Sequence, residues 1–272
     1  MKLLIVDDME GTTGVTDWSQ VMADGPDYPR FRSMLTADVN AAIRGAFKGG
    51  ADEVVVTDGH NYARNIVIQE LDPRVTLNFG SPSSLSMVEG VDKGVDAIMF
   101  LAYHARAGAL NAVLCHTWSL NTTNVWINGR LTGEFGLNGC VAASFGVAPV
   151  MITGGQARCD EALSWVPDLE TVCVKIGNGR YSARCFPAEK TQPMIEETSE
   201  RAVRRFINGT APKPIVTETP VVVRVEFITP NQADGAFLLP NMTRIDGRTL
   251  EITAPDMVTA YKSFRAAVSL GR

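Results

Sequence analysis

The sequence predicts an α/β protein: three α/β/α layers around a mixed, largely parallel central sheet, completed by a smaller C-terminal α+β lobe. Three observations carry that expectation. Strand and helix signals alternate from the first residues onward, the pattern of successive βα units. Two strand-length runs, Val54–Val56 and Ile98–Leu101, are apolar at every position, as strands covered on both faces are. Pro212, Pro214 and Pro220 then interrupt both periodicities between Asn208 and Pro220, dividing residues 1–210 from a lobe at 211–272 packed on them.

The elements follow in order. Leu3-Leu4-Ile5-Val6 reads as the first strand and ends in Asp7-Asp8-Met9-Glu10-Gly11. A helix is expected from about Arg30 to Lys48, with Phe31, Leu35, Val39, Ala42 and Ala46 as its buried stripe and Gly49-Gly50 as its stop. Strands follow at Glu53–Thr57, Val75–Phe79 and Ala97–Leu101. Ala112–Trp118 and Asn124–Ile127 read as antiparallel strands, and Asn128-Gly129 is a hairpin-turn dipeptide. Gly133–Phe145 reads as a helix, then Pro149–Thr153 and Thr171–Lys175 as strands around a helix at Gln156–Trp165. Beyond the prolines come a strand at Val221–Phe227, a short segment at Asn231–Phe237, a strand at Leu250–Thr253 and a helix from Pro255.

Composition excludes several classes of partner. With 272 residues, 45% hydrophobic and 20% charged, the chain is an ordinary globular protein. No apolar run approaches the ~20 residues that span a bilayer, and the N-terminal run is too short for a secretory signal. A net charge of -5 gives no basic face for nucleic acid. Arg201, Arg204 and Arg205 lie at helical spacing and read as a solvated face. Five cysteines, Cys115, Cys140, Cys159, Cys173 and Cys185, without a C-x-x-C pair suggest free thiols and a cytoplasmic setting.

The chain has three histidines, His60, His104 and His116, and each follows a predicted strand or sits in its tail. Asp8 and Glu10 leave the first strand with one residue between them, so their carboxylates can converge on one cation. Each signal alone is also what a solvated acidic loop or a structural histidine would give. Their joint occurrence at strand ends points to a metal site, because imidazole nitrogen and carboxylate oxygen both suit zinc. Glu134, at a predicted helix start, adds a third carboxylate, although a helix dipole would favour an anion there in any case. Two histidines and three carboxylates are the inventory for two zinc ions sharing one carboxylate.

Taken together, Asp8-Met9-Glu10-Gly11, Asp58-Gly59-His60, Ser86-Met87-Val88-Glu89-Gly90, Tyr103-His104-Ala105-Arg106-Ala107, His116 and Gly133-Glu134-Phe135-Gly136-Leu137-Asn138 resemble the zinc D-aminopeptidases of bacterial dipeptide-transport operons. The similarity covers nearly the whole length. It implies a two-zinc centre held by Asp8, Glu10, His60, His104 and Glu134, with Asp8 bridging, and a catalytic His116 that takes part in proton transfer or oxyanion stabilisation. It also implies hydrolysis of the N-terminal residue of short peptides, D-alanyl peptides among them. The implied assembly is a homodecamer of two stacked five-membered rings enclosing the active sites. One position departs from the family, which commonly has Ser-x-Asp-x-Glu-Gly where this chain has Val6 at the serine position.

Other residues near these motifs have candidate roles. Asp58 could orient a ligand imidazole, Arg106 and Asn138 could support the site, and Lys175 or Arg180 could receive a peptide carboxylate. Two alternatives use the same residues. Asp8-Met9-Glu10-Gly11-Thr12 after a strand superficially resembles the opening of haloacid-dehalogenase magnesium phosphatases, which would leave the histidines without a task. A non-catalytic, metal-stabilised peptide-binding protein would need the ligands but not His116.

Overall fold

A computed structural model describes residues 1–272. Seven strands form the central sheet: β1 (Lys2–Asp7), β2 (Glu53–Asp58), β3 (Thr76–Asn78), β4 (Ala97–Tyr103), β7 (Ala148–Gly155), β8 (Glu170–Gly177) and β9 (Ala183–Cys185), in the order β3-β2-β1-β4-β7-β8-β9. All neighbours run parallel except β8 and β9. Side chains alternate across β1, so Leu3 and Ile5 enter one core while Leu4 and Val6 enter the other. Burial on both faces explains why the central strands read as unbroken apolar runs.

Helices α1 (Tyr28–Gly49) and α4 (Ala188–Ile207) cover the Leu3/Ile5 face, contributing Leu35, Val39, Ile195 and Val203 to its core. They pack closely because α1 presents glycine to α4. A Cβ built on Gly45 would come within 2.1 Å of the Glu196 carbonyl oxygen. The other face is lined by α2 (Glu134–Ala143) and α3 (Gln156–Trp165). Its core is continuous with a five-stranded antiparallel sheet and the terminal helix α6 (Met257–Leu270).

That second sheet has the order β11-β12-β10-β5-β6, from β5 (Thr122–Ile127), β6 (Arg130–Thr132), β10 (Val221–Phe227), β11 (Met242–Arg244) and β12 (Thr249–Ala254). The strands after the proline-rich break therefore share a sheet with two strands from the middle of the chain. Asn128 and Gly129 join β5 to β6 with φ of 48° and 79°, the left-handed pair a two-residue hairpin requires. The segment expected at Asn231–Phe237 is the helix α5 (Pro230–Ala236), started by a Thr229/Gln232 capping box.

The strand expected at Ala112–Trp118 does not form. The segment is an irregular loop with one isolated bridge, Thr117 to Ser119, and left-handed residues at Leu114 and Trp118. Ala112, Val113 and Leu114 are buried as the sequence suggested, but with no strand beside them their backbone bonds go elsewhere. Leu114 N, for example, donates to the Arg180 carbonyl. Arg201 and Arg205, expected as a solvated face, both pair with Glu170.

If the α1–α4 contact depends on the missing Cβ, Gly45→Ala should cost about 1–3 kcal/mol of stability through overpacking. The check is a lower urea midpoint at an unchanged denaturant slope.

Candidate metal centre

β1 and β4 are adjacent, yet the chain leaves β1 toward β2 on one side and returns to β4 on the other. Such a switch point leaves a crevice at the C-terminal ends of the strands. The motif residues meet there. Asp8 follows β1, His60 lies two residues beyond β2, His104 follows β4, and Glu134 opens α2. Glu10 lies in the loop after β1, and His116 sits in the irregular 112–119 loop.

Local backbone features aim these groups. β4 is bulged between Phe100 and Tyr103, and Ala102 adopts φ 58°, an arrangement that redirects the strand end carrying His104. The loop after β1 docks against this bulge, with Asp8 N donating to Leu101 O at 2.9 Å and Gly11 N to Ala102 O at 2.7 Å. A Cβ on Gly11 would lie 2.2 Å from the Tyr103 carbonyl oxygen, so only glycine permits that approach.

Each imidazole can donate one ring N–H to a main-chain carbonyl. His60 Nε2 lies 2.9 Å from Val21 O, His104 Nδ1 is 3.0 Å from Ala105 O, and His116 Nδ1 is 2.8 Å from Leu114 O. Those bonds select the tautomers whose other nitrogens point lone pairs into the carboxylate cluster. His60 Nδ1 lies 3.0 Å from Asp8 Oδ1 and 3.2 Å from Glu10 Oε2. His104 Nε2 lies 3.2 Å from both Asp8 Oδ2 and Glu134 Oε1.

The spacing and the unmet bonds fit metal. Two ligand atoms on a tetrahedral zinc, each about 2.0–2.1 Å away, stand roughly 3.3 Å apart. Asp8 Oδ2, Glu10 Oε2 and His104 Nε2 are buried and make no hydrogen bond despite these short approaches. Unpaired buried polar atoms are costly, and a cation among them removes the cost. Asp8–Glu10–His60 and Asp8–His104–Glu134 each form a compact donor group, and Asp8 belongs to both. A third grouping, Glu10–His104–His116, is looser at His116, whose Nε2 stands 3.8 Å from Glu10 Oε1 and from Glu134 Oε1.

The electrostatics reflect three buried carboxylates. Burial alone would push the His60 and His104 imidazoles down, but Glu10 and Asp8 hold His60, and Glu134 and Asp8 hold His104, well above the usual range. Burial would raise the Asp8 carboxyl, yet His104 and His60 hold it well below the ordinary value. His116 behaves differently. Burial and the neighbouring His104 push it down, against a weaker upward pull from Glu10 and Glu134, so it is neutral near pH 7. Its ring stacks on His104 at 3.8 Å between centroids and meets Trp18 edge-on at 5.5 Å.

Supporting residues have different tasks from those the sequence suggested. Asp58 does not touch an imidazole; it accepts from Asn65 N, Asn65 Nδ2 and Ile66 N and so fixes the loop after His60. Glu134 does not cap α2, since its Oε1 accepts from Trp118 N at 2.7 Å. Lys175 is buried behind the site and cannot receive a peptide carboxylate, and burial pushes its ammonium down to about 7. Asn138 donates to Tyr103 Oη at 3.1 Å and accepts from Tyr261 Oη at 3.0 Å, tying α2 to β4 and α6. Arg106 folds back on Ala107 O. Two groups escaped sequence reading. Buried Arg158 donates to the His104 carbonyl at 3.3 Å, and Trp18, Tyr62 and Trp118 join Met87 of the Ser86–Gly90 motif in lining a cleft of about 580 Å³ over the cluster. No local pattern distinguishes these side chains from ordinary core or surface residues.

A pH dependence follows for the metal-free protein. Because His60 and His104 are raised in the folded state, their stabilisation is complete below the unfolded imidazole value of about 6.5 and is lost as pH rises through their folded values. Denaturant melts in chelator should therefore show stability falling on the alkaline side of neutrality. With a divalent metal engaging the same nitrogens the trend reverses, and acid weakens the fold by displacing the ion.

The chain is similar to known proteins along nearly its whole length. A protein-family model described as D-aminopeptidase matches residues 1–266. A D-aminopeptidase of Bacillus subtilis (strain 168) is 32% identical over 271 residues, spanning 99% of this chain and 97% of that protein. The solved structure of a Zn-dependent D-aminopeptidase, DppA from Bacillus subtilis, described as a self-compartmentalizing protease, superposes with a TM-score of 0.92 at 31% identity. That match covers 100% of this chain and 98% of the other. The chain belongs to the D-aminopeptidase family of peptidases.

Proposed function

We propose that this chain is a two-zinc aminopeptidase that removes the N-terminal residue from short D-amino-acid peptides. The observation that carries the reading is the division of Asp8, whose Oδ1 faces His60 and Glu10 while its Oδ2 faces His104 near Glu134. One carboxylate shared between two imidazole–carboxylate pairs suits a bridged pair of ions, with His60 and Glu10 completing one pocket and His104 and Glu134 the other. Two divalent cations would bring four positive charges to the three buried carboxylates, a sum that one hydroxide would neutralise. Zinc, when bound, supplies Lewis-acid polarisation and a source of hydroxide near neutral pH.

The chain's own groups then bind, orient and move protons. The cleft is open enough to admit a short peptide, and Trp18, Tyr62 and Trp118 give it apolar walls. A free N-terminal amine, neutral at the moment of binding, could be held at the loaded centre, and that requirement would select aminopeptidase over endopeptidase activity. His116 is left off the ions. Its Nδ1–H is committed to Leu114 O, so Nε2 is free to accept a proton and return it to the leaving amine. The lowered imidazole suits a group that is neutral at neutral pH.

Assembly and setting belong to the same proposal. A self-compartmentalizing relative supports an enclosed oligomer, for which the proposed form is a homodecamer of two five-membered rings, and large exposed apolar residues such as Leu110, Val216 and Leu238 are available for subunit contacts. Five free cysteines fit a cytoplasmic location, and no helix is long and apolar enough to cross a membrane. The magnesium phosphatase alternative is set aside by the family membership and leaves three converging imidazoles unused.

Metal quantification paired with release assays on matched D- and L-alanyl peptides tests the reading. About two zinc ions per chain with D-peptide cleavage is expected. L-peptide cleavage would overturn the stereochemical assignment, and no hydrolysis of any peptide would favour the binding-protein alternative. His116→Ala should keep its metal while kcat falls by about 10²–10⁴. Full activity in that variant would remove His116 from the mechanism.

A further inference from the structure

Lys175 lies on β8, three strands from β1, and its side chain passes inward to the loop that carries Asp8 and Glu10. Its Nζ donates to Glu10 O at 2.6 Å, Thr12 O at 2.9 Å and Val15 O at 2.7 Å. An ammonium has three N–H donors, and one loop's main chain takes all of them. The residue is only 1% exposed, and its hydrogen-bond partners include no carboxylate. Burying an ammonium among carbonyls is costly, and what it secures here is the course of a single loop.

The grip is uneven across the cluster. The first of the three carbonyls belongs to Glu10, whose carboxylate faces His60. The other half of the site is anchored separately. His104 is held by the β4 bulge and its bond to Ala105 O, and Glu134 by α2 and Trp118 N. Asp8 is bonded to Leu101 O through its own amide and does not depend on Lys175.

We propose that Lys175 is a positioning residue for Glu10, one that sets the affinity of the Asp8–Glu10–His60 pocket and leaves that of the Asp8–His104–Glu134 pocket unchanged. The inference rests on the two-ion reading of the site. Its consequence is that the two ions have separately adjustable affinities, one governed from β8 and the other from β4 and α2.

Calorimetric titration of zinc into metal-free protein tests it. Wild type should show two binding events. Lys175→Met should retain one at wild-type affinity and weaken the other by about 10–100-fold, the usual effect of removing a group that orients a ligand. Thr191→Val is the comparison, because it removes the hydroxyl 2.9 Å from Thr13 Oγ1 and loosens the same loop away from Glu10. That variant should bind both ions as wild type does. Lys175→Gln, which retains an N–H donor group, is read in the same way if Lys175→Met does not fold. Both events unchanged in the Lys175 variants, or both weakened in parallel with Thr191→Val, would overturn the positioning role. A single event in wild type would instead overturn the two-ion reading on which it stands.

Discussion

The carboxylate of Asp8 faces His60 with one oxygen and His104 with the other, and the arrangement of the central sheet makes that placement possible. β1 is the only strand flanked by both β2 and β4, the strands that deliver His60 and His104. Parallel strands about 4.8 Å apart bring residues at their C-terminal ends within reach of one another. Pairing of Asp7 with Asp58 and with Leu101 sets the heights at which the three strands end. A slip of one residue in β1 would turn Asp8 to the α1 side and bring Asp7 inward, so register and chemistry are fixed together.

Concentrating carboxylates in a buried crevice is unfavourable, and the surroundings offset it by fixing the main chain around them. Buried cations grip carbonyls instead of neutralising the carboxylates: Lys175 holds Glu10, Thr12 and Val15, and Arg158 holds His104. Asp7 is a contrasting case, with its main chain held in β1 and its side chain unpartnered. Burial together with Asp58 and Asp8 pushes its carboxyl well above the usual range, and neither of its oxygens has a hydrogen-bond partner. It is one residue from a donor and on the opposite face of the strand. The contrast shows that placement, more than residue type, decides which acids serve the site.

Much of this was legible in the chain. Continuously apolar Val54–Val56 and Ile98–Leu101 announced doubly covered strands, and Asn128-Gly129 announced a hairpin, because both signals are local. The convergence of Asp8, Glu10, His60, His104 and Glu134 was legible from their positions at element ends in an alternating βα pattern. What was not legible depends on long-range partners. Ala112–Leu114 is apolar enough for a strand but has no strand to pair with, so it became the loop that places His116. Lys175 read as a possible receiver of a peptide carboxylate because nothing beside it in sequence shows that three carbonyls from the first loop surround its ammonium. The pairing of β5 with β10 was hidden for the same reason.

The division of labour among the three histidines is the central claim, and an anomalous difference map from crystals grown with zinc measures it directly. The account predicts two peaks about 3.5–4 Å apart. One should lie among Asp8 Oδ1, Glu10 and His60 Nδ1, the other among Asp8 Oδ2, Glu134 and His104 Nε2, with His116 Nε2 outside both coordination spheres. A single peak, or a peak at about 2.1 Å from His116 Nε2, would contradict it.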